Sequence, residues 1–125
     1  MPSLWVNRQK ICVTRILMEV LKVTETSKVL AIDDMRDFPG ADHVARSAQD
    51  GLRALREDGP WALLYLDHDL ASFEGEKEIT GYDILCWLEE HPQYAPERIE
   101  LVTSNPVGRG RMEMAIRNIM KRKKP

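Results

Sequence analysis

Acidic and small polar side chains follow three short apolar runs of this chain, and they are the residues best suited to chemistry. The runs cover residues 29–32, 62–66 and 99–102, and they are followed by Asp33-Asp34, Asp67-His68-Asp69 and Thr103-Ser104-Asn105. Carboxylates brought together repel one another unless a bound cation or a proton compensates. A set of oxygen ligands suits Mg²⁺ (or Mn²⁺), which also bridges to phosphate. We therefore expect a metal site built from Asp33, Asp34, Asp67 and Asp69, although any one Asp alone more often caps a helix or closes a turn.

His68 lies between two of these acids, and the sequence leaves two roles open for it. A neighbouring carboxylate stabilises an imidazolium, so His68 can act as a general acid or base near neutral pH. Side chains alternate across a strand, however, so His68 would point away from Asp67 if the strand continued through it. In that case His68 would be a packed, hydrogen-bonded histidine of the core.

The segment from Thr103 to Gly108 is a candidate phosphate seat. Ser104 and Asn105 precede the start of a predicted helix, whose free N–H groups and dipole favour an anion. Arg109 and Arg111 follow and would add charge-assisted hydrogen bonds to phosphate oxygens. The alternative is an ordinary Asn-Pro turn with solvated arginines.

Strands and helices alternate along the chain, which is typical of an α/β domain with a parallel sheet. We predict strands at the three apolar runs and an edge strand over residues 43–47, reached by a loop that contains Pro39-Gly40. Helices are predicted over residues 8–23 and 49–57, from a cap at Thr80 to just before His91, and from about Gly108 onward. The polar stretch of residues 70–80 is predicted to be a mobile flap beside Asp67. In an open α/β sheet, ligands bind beyond the carboxyl ends of the strands, where all three polar clusters would meet.

Length and composition predict one domain outside the membrane. The 18 Lys and Arg residues and 20 Asp and Glu residues give a net charge of -2, which argues against general electrostatic attraction to nucleic acid. The tail after Val107 is basic, and it either faces phosphate or is solvated. Cys12 and Cys86 lie in apolar segments and are expected to be buried free thiols. Neither a membrane span nor a signal-peptide pattern is present, so a cytoplasmic protein is expected, in a bacterium or a phage-infected host cell.

The strand-end residues resemble a known family. Ile32-Asp33-Asp34, Leu66-Asp67 and Thr103-Ser104 are similar to the acidic pair, the phosphoacceptor aspartate and the hydroxyl residue of response-regulator receiver domains. Asp33-Asp34-Met35-Arg36 with Pro39, Leu66 to Leu70, Gly81-Tyr82-Asp83, and Ser104 to Gly108 with Arg111-Met112 look like the diverged cyclic-phosphate processing receiver domains of phages and bacteria. The resemblance implies a three-layer, flavodoxin-like α/β domain with a mostly parallel sheet over residues 28–125. The sheet is expected to depart from the family by being truncated at its last strand. Residues 1–27 are expected to form an extension packed on the domain, either covering the sheet edge or forming a dimer interface.

The resemblance and the residue chemistry together predict a function. Asp33, Asp34 and Asp67 would bind the metal, His68 or Asp69 would transfer protons, and Ser104, Asn105 and Arg109 would bind phosphate. The expected activity is a metal-dependent phosphoesterase acting on a cyclic phosphate, such as an RNA end or a cyclic nucleotide. Two departures from the family pattern matter: no strand after residue 102 supplies the receiver lysine, and Thr103 stands where His is expected. The alternatives are a non-catalytic, phage-encoded protein that docks on a host protein and, disfavoured by the missing lysine, a signalling receiver.

Overall fold

The computed structural model describes residues 27–123, which form a parallel sheet packed against helices. The strands are β1 (Val29–Ile32), β2 (His43–Ala45), β3 (Leu63–Leu66), β4 (Ser72–Glu74), β5 (Lys77–Ile79) and β6 (Arg98–Leu101). The helices are α1 (Ala48–Glu57), α2 (Gly81–Glu90) and α3 (Pro106–Lys123), with a short 3-10 helix (Pro92–Tyr94) after α2. The helix predicted over residues 8–23, Cys12 and the extension up to residue 26 lie outside the described residues.

The main sheet has the strand order β2-β1-β3-β6, and all of its pairs are parallel. This order and direction confirm the α/β receiver-like class. Within residues 27–123 no strand follows β6, which confirms the truncated sheet. Because the strands are parallel and in register, the last residues of β1, β3 and β6 lie side by side as Ile32, Leu66 and Leu101. The polar residues that follow these strands therefore share one edge of the sheet, as the sequence predicted.

One face of the sheet forms the core with the helices. Leu30 and Ile32 on β1 and Leu64 and Leu66 on β3 are fully buried, and alternate residues of a strand point to the same face. These residues pack with one side of each helix in a single cluster: Leu30, Ile32, Leu64, Leu66, Leu55, Ile84, Leu85, Leu88, Met112 and Ile119. Cys86 is a free thiol, as expected, but it is half-buried on α2 rather than in the core. No helix between residues 27 and 123 is long and apolar enough to span a bilayer.

Helix ends follow the capping residues that the sequence offers. Thr80 caps α2 as predicted, and Asp83 completes the reciprocal pair of hydrogen bonds by accepting from the Thr80 N–H at 2.9 Å. Helix α3 begins at Pro106, two residues before the predicted start, because proline lacks only an N–H that the first turn does not use. The Asn105 side chain then accepts the Gly108 N–H at 3.1 Å.

Residues 70–80, predicted to be a mobile flap, contain the antiparallel hairpin β4–β5. Gly75 adopts a φ of 66° in the two-residue turn, a conformation that glycine adopts without strain. The hairpin is tied to α1, because the Ala48 N–H donates to the Ser72 hydroxyl at 2.9 Å and the Gln49 amide donates to the Phe73 carbonyl at 3.1 Å. The turn residue and these two tethers explain why a polar segment forms regular structure here.

A close backbone contact fixes the loop that carries Asp67. The Gly81 N–H donates to the His68 carbonyl at 2.8 Å, and a Cβ at position 81 would lie 2.1 Å from the Asp67 carbonyl oxygen. A side chain here would therefore push α2 away from the end of β3.

Gly81→Ala is expected to destabilise the fold by about 1–3 kcal/mol, because the added methyl group overlaps backbone that cannot move independently. Urea unfolding followed by circular dichroism measures this loss. Gly110→Ala is the matched control, since a Cβ there meets nothing within 4 Å. Its helical position predicts a gain of roughly 0.5–1 kcal/mol, so equal effects of the two substitutions would contradict the close-contact explanation.

Candidate functional site

Three carboxylates meet at the carboxyl edge of the sheet. Asp33 and Asp34 follow β1, Asp67 follows β3, and one oxygen from each lies within 4.8 Å of the others. Asp33 is fully buried, Asp67 is 9% exposed and Asp34 is half-buried. The structure thus brings together the three residues that the sequence predicted as metal ligands. Asp69, grouped with them in the sequence, does not belong to this cluster of described residues.

Asp33 is the carboxylate that the fold stabilises. Its Oδ1 accepts the N–H groups of Met35 at 2.8 Å and Arg36 at 2.9 Å, and its Oδ2 accepts from Arg36 Nη1 at 2.9 Å. Burial alone would raise the pKa of Asp33, but these hydrogen bonds and the positive charge of Arg36 outweigh burial and lower it. Asp33 therefore stays ionised although it is enclosed by protein.

Asp67 is the carboxylate whose negative charge the fold disfavours. Its Oδ1 accepts the His68 N–H at 2.8 Å, and the Thr103 hydroxyl donates a further hydrogen bond. Arg36 Nη1 lies 3.4 Å from its Oδ2. These contacts do not offset burial and the nearby charge of Asp33, so the pKa of Asp67 is raised.

Two arginines that the sequence analysis did not assign a role hold this edge together. Arg36 contacts both Asp33 and Asp67, as described above. Arg46, which directly follows β2, donates through Nη1 to the carbonyls of Asp33 at 3.2 Å and Arg36 at 2.7 Å. The only sequence signal for either role was position: Arg36 falls within the acidic segment, and Arg46 follows a strand that ends at the same edge.

His68 lies beyond the last residue of β3 and is held from two sides. Its Nδ1 is 2.9 Å from Asp69 Oδ1, and its ring packs against the backbone of Gly108, where a Cβ would lie 2.7 Å from the ring. An ionised carboxylate only accepts hydrogen bonds, so this contact requires a proton on Nδ1, and Nε2 is then the ring nitrogen that can accept a proton. The side chain is 17% exposed, so it is both packed and open to solvent.

The predicted phosphate-binding residues occupy different surroundings. Ser104 is exposed at the strand edge, whereas the Asn105 side chain caps α3. Arg109 donates to the carbonyls of Leu101 at 3.5 Å and Thr103 at 3.3 Å and pairs with Glu113 at 3.6 Å. With β6 and the outer side of α3 it lines a groove of about 580 Å³. The structure therefore directs Arg109 to the outer edge of the sheet rather than to the three carboxylates.

Fold and site together define a receiver-like α/β domain with an acidic cluster at the carboxyl edge of its sheet. The chain belongs to the cyclic-phosphate processing receiver domain family, whose model matches residues 28–118. The family links the chain to the processing of cyclic phosphates. No curated protein and no solved structure matches the chain significantly.

The negative charges of Asp33 and Asp67 are expected to change the free energy of unfolding in opposite directions, when EDTA keeps the protein free of metal. The pKa of Asp67 is raised above 3.8, so its charge destabilises the fold once pH exceeds that raised pKa. Asp67→Asn should therefore raise the free energy of unfolding near neutral pH, and this gain should disappear as the pH falls toward 3.8.

Asp33→Asn supplies the comparison, because the pKa of Asp33 is lowered and its charge stabilises the fold above 3.8. This substitution should reduce stability near neutral pH, and the loss should diminish as the pH falls through the lowered pKa. Urea unfolding across this pH range measures both effects. Equal losses of stability for both variants at neutral pH would show that Asp67 is not the electrostatically disfavoured partner.

Proposed function

We propose that this protein is a metal-dependent phosphoesterase that hydrolyses a cyclic phosphate, such as the 2′,3′-cyclic end of an RNA or a cyclic nucleotide. The observation that carries the proposal is the cluster of Asp33, Asp34 and Asp67, whose oxygens lie within 4.8 Å of one another. Family membership supplies the phosphate chemistry.

The donor set fits Mg²⁺ or Mn²⁺. Three carboxylate oxygens from two strand ends are ligands that hard divalent cations accept, with waters completing the coordination. A positive charge already contacts two of them, since Arg36 Nη1 lies 2.9 Å from Asp33 and 3.4 Å from Asp67. The elevated pKa of Asp67 indicates that this single charge does not satisfy the cluster. When bound, a divalent ion would neutralise phosphate charge and lower the pKa of a water molecule.

His68 is the residue that we assign to proton transfer. In the hydrolysis of a cyclic diester, the water oxygen bonds to phosphorus, one ring P–O bond breaks, and the departing oxygen gains a proton. Asp69 fixes the imidazole with the proton on Nδ1, so Nε2 can accept a proton from water and return one to the departing oxygen. Thr103 replaces the expected His, and its hydroxyl donates to Asp67, so Thr103 positions a metal ligand rather than transferring protons.

Phosphate binding is assigned to the strand edge beside α3. Ser104 offers an exposed hydroxyl there, and Asn105 lies next to it at the start of the helix. The Gly108 N–H is already used by the Asn105 side chain, and the Arg109 N–H donates to the Asn105 carbonyl at 2.9 Å. Asn105 therefore already accepts two N–H groups of the first helical turn. Ser104, whose hydroxyl is exposed, is the side chain that we expect to contact the substrate. Arg109 would have to turn from its present carbonyl contacts to join it.

Asp67→Asn is expected to reduce phosphate-ester hydrolysis by roughly 100-fold or more, because one oxygen of the charged ligand set is lost. Calorimetric titration with Mn²⁺ and turnover of a panel of 2′,3′-cyclic nucleotides measure ion binding and activity in the same samples. Glu90→Gln, an exposed carboxylate at the last residue of α2, is the matched control and should behave as wild type. Full turnover by a folded Asp67→Asn protein would rule out the proposal. A wild-type protein that binds neither Mn²⁺ nor Mg²⁺ would instead favour the non-catalytic binding protein.

His68→Gln is expected to lower kcat by about 10²–10⁴-fold while leaving Mn²⁺ affinity unchanged, because it removes proton transfer without touching the ligand set. The pH dependence of kcat should also lose the limb that reports the imidazole. Asp69→Asn should give a smaller loss, since it removes only the partner that orients the ring. If His68→Gln retains wild-type kcat and pH profile, His68 is a packing residue of the Gly108 contact.

A further inference from the structure

Arg36 uses one nitrogen to contact two carboxylates of the acidic cluster. Its Nη1 lies 2.9 Å from Asp33 Oδ2 and 3.4 Å from Asp67 Oδ2. The remaining oxygens of these two residues are already engaged, because Asp33 Oδ1 accepts backbone N–H groups of its own loop and Asp67 Oδ1 accepts the His68 N–H. The two Oδ1 atoms thus accept backbone N–H groups, and Arg36 lies beside both Oδ2 atoms.

A divalent ion bound to the two Oδ2 atoms would lie at short range from this guanidinium group, and the two positive charges would repel each other. We therefore expect metal binding to move the Arg36 side chain. The side chain of Arg36 is 44% exposed, so it can turn into solvent without opening the core.

The backbone around Arg36 is fixed independently of its side chain. Its N–H donates to Asp33 Oδ1 at 2.9 Å, and its carbonyl accepts from Arg46 Nη1 at 2.7 Å. Displacement of the guanidinium group would therefore leave the ligand Asp33 in place. The loop that carries Asp33 is therefore held by its own backbone contacts, whereas the guanidinium group of Arg36 can move away from it.

We propose that Arg36 is a built-in competitor of the divalent ion, which occupies the ligand oxygens in the metal-free protein and is displaced when the ion binds. This inference rests on the metal dependence proposed above. Arg36 would partly compensate the charge of the two buried carboxylates when no ion is present, at the expense of metal affinity. Once displaced, its guanidinium group would carry its charge at the rim of the site, where an anionic substrate approaches.

Calorimetric titration of Mn²⁺ into wild type and Arg36→Gln tests the competition directly. Removal of the charge should tighten Mn²⁺ binding about tenfold, a typical coupling between two ligands that share a site. The rise in melting temperature caused by saturating Mn²⁺ should also be larger in Arg36→Gln, because the variant without metal lacks the internal cation. Arg36→Lys keeps the positive charge and should stay closer to wild type in both measurements.

Arg53→Gln is the matched control, since Arg53 is 39% exposed and pairs with Asp50 and Asp58 on and beside α1. It should leave Mn²⁺ affinity unchanged. Equal or weaker Mn²⁺ binding by a folded Arg36→Gln protein would overturn the inference while leaving the proposed metal dependence intact. If neither wild type nor Arg36→Gln binds Mn²⁺ or Mg²⁺, both the metal dependence and the competition are wrong.

Discussion

The repulsion between two buried carboxylates, Asp33 and Asp67, is the interaction to which the rest of the site responds. Parallel pairing of β1 with β3 places Ile32 beside Leu66, so the next residues of both strands must share a small volume. Removing like charges from water costs free energy unless hydrogen bonds or cations compensate. The loop after β1 supplies two N–H groups to Asp33, and Arg36 supplies the charge.

Hydrogen bonds and positive charge stabilise the Asp33 anion more than the Asp67 anion, and this difference determines the electrostatics of the edge. Asp33 receives enough hydrogen bonds to remain an anion, whereas burial and the charge of Asp33 disfavour the Asp67 anion. A site with one satisfied and one unsatisfied carboxylate favours the arrival of further positive charge. A divalent ion would meet that requirement, which supports the metal dependence proposed above, and family membership links the chain to the processing of cyclic phosphates.

The elements around the edge act mainly by holding these few atoms still. Arg46 ties the loop of Asp33 to the end of β2, Thr103 donates to Asp67 from the end of β6, and Gly81 lets α2 approach the Asp67 carbonyl. His68 packs on Gly108 and pairs with Asp69, which connects β3 to the first turn of α3. The ends of all four strands of the main sheet and the starts of α2 and α3 thus each contribute a contact to the acidic edge.

The sequence by itself determined the four strands of the main sheet, the capped α2 and the meeting of Asp33, Asp34 and Asp67. Short apolar runs, Thr80 with Asp83, and polar residues at strand ends are local signals, and parallel pairing brings strand ends together without further information. Only the tertiary structure decided what depends on three-dimensional approach: that Arg36 contacts both Asp33 and Asp67, that Asp69 pairs with His68, and that Arg109 turns to the outer edge. The sequence shows which charged side chains are present. The orientation of a long side chain, however, depends on how far its neighbours lie from it in the folded protein, and the sequence alone does not give these distances. The hairpin at residues 70–80 was missed for a related reason, since tethers to α1 stabilise a segment whose polarity indicated a loop.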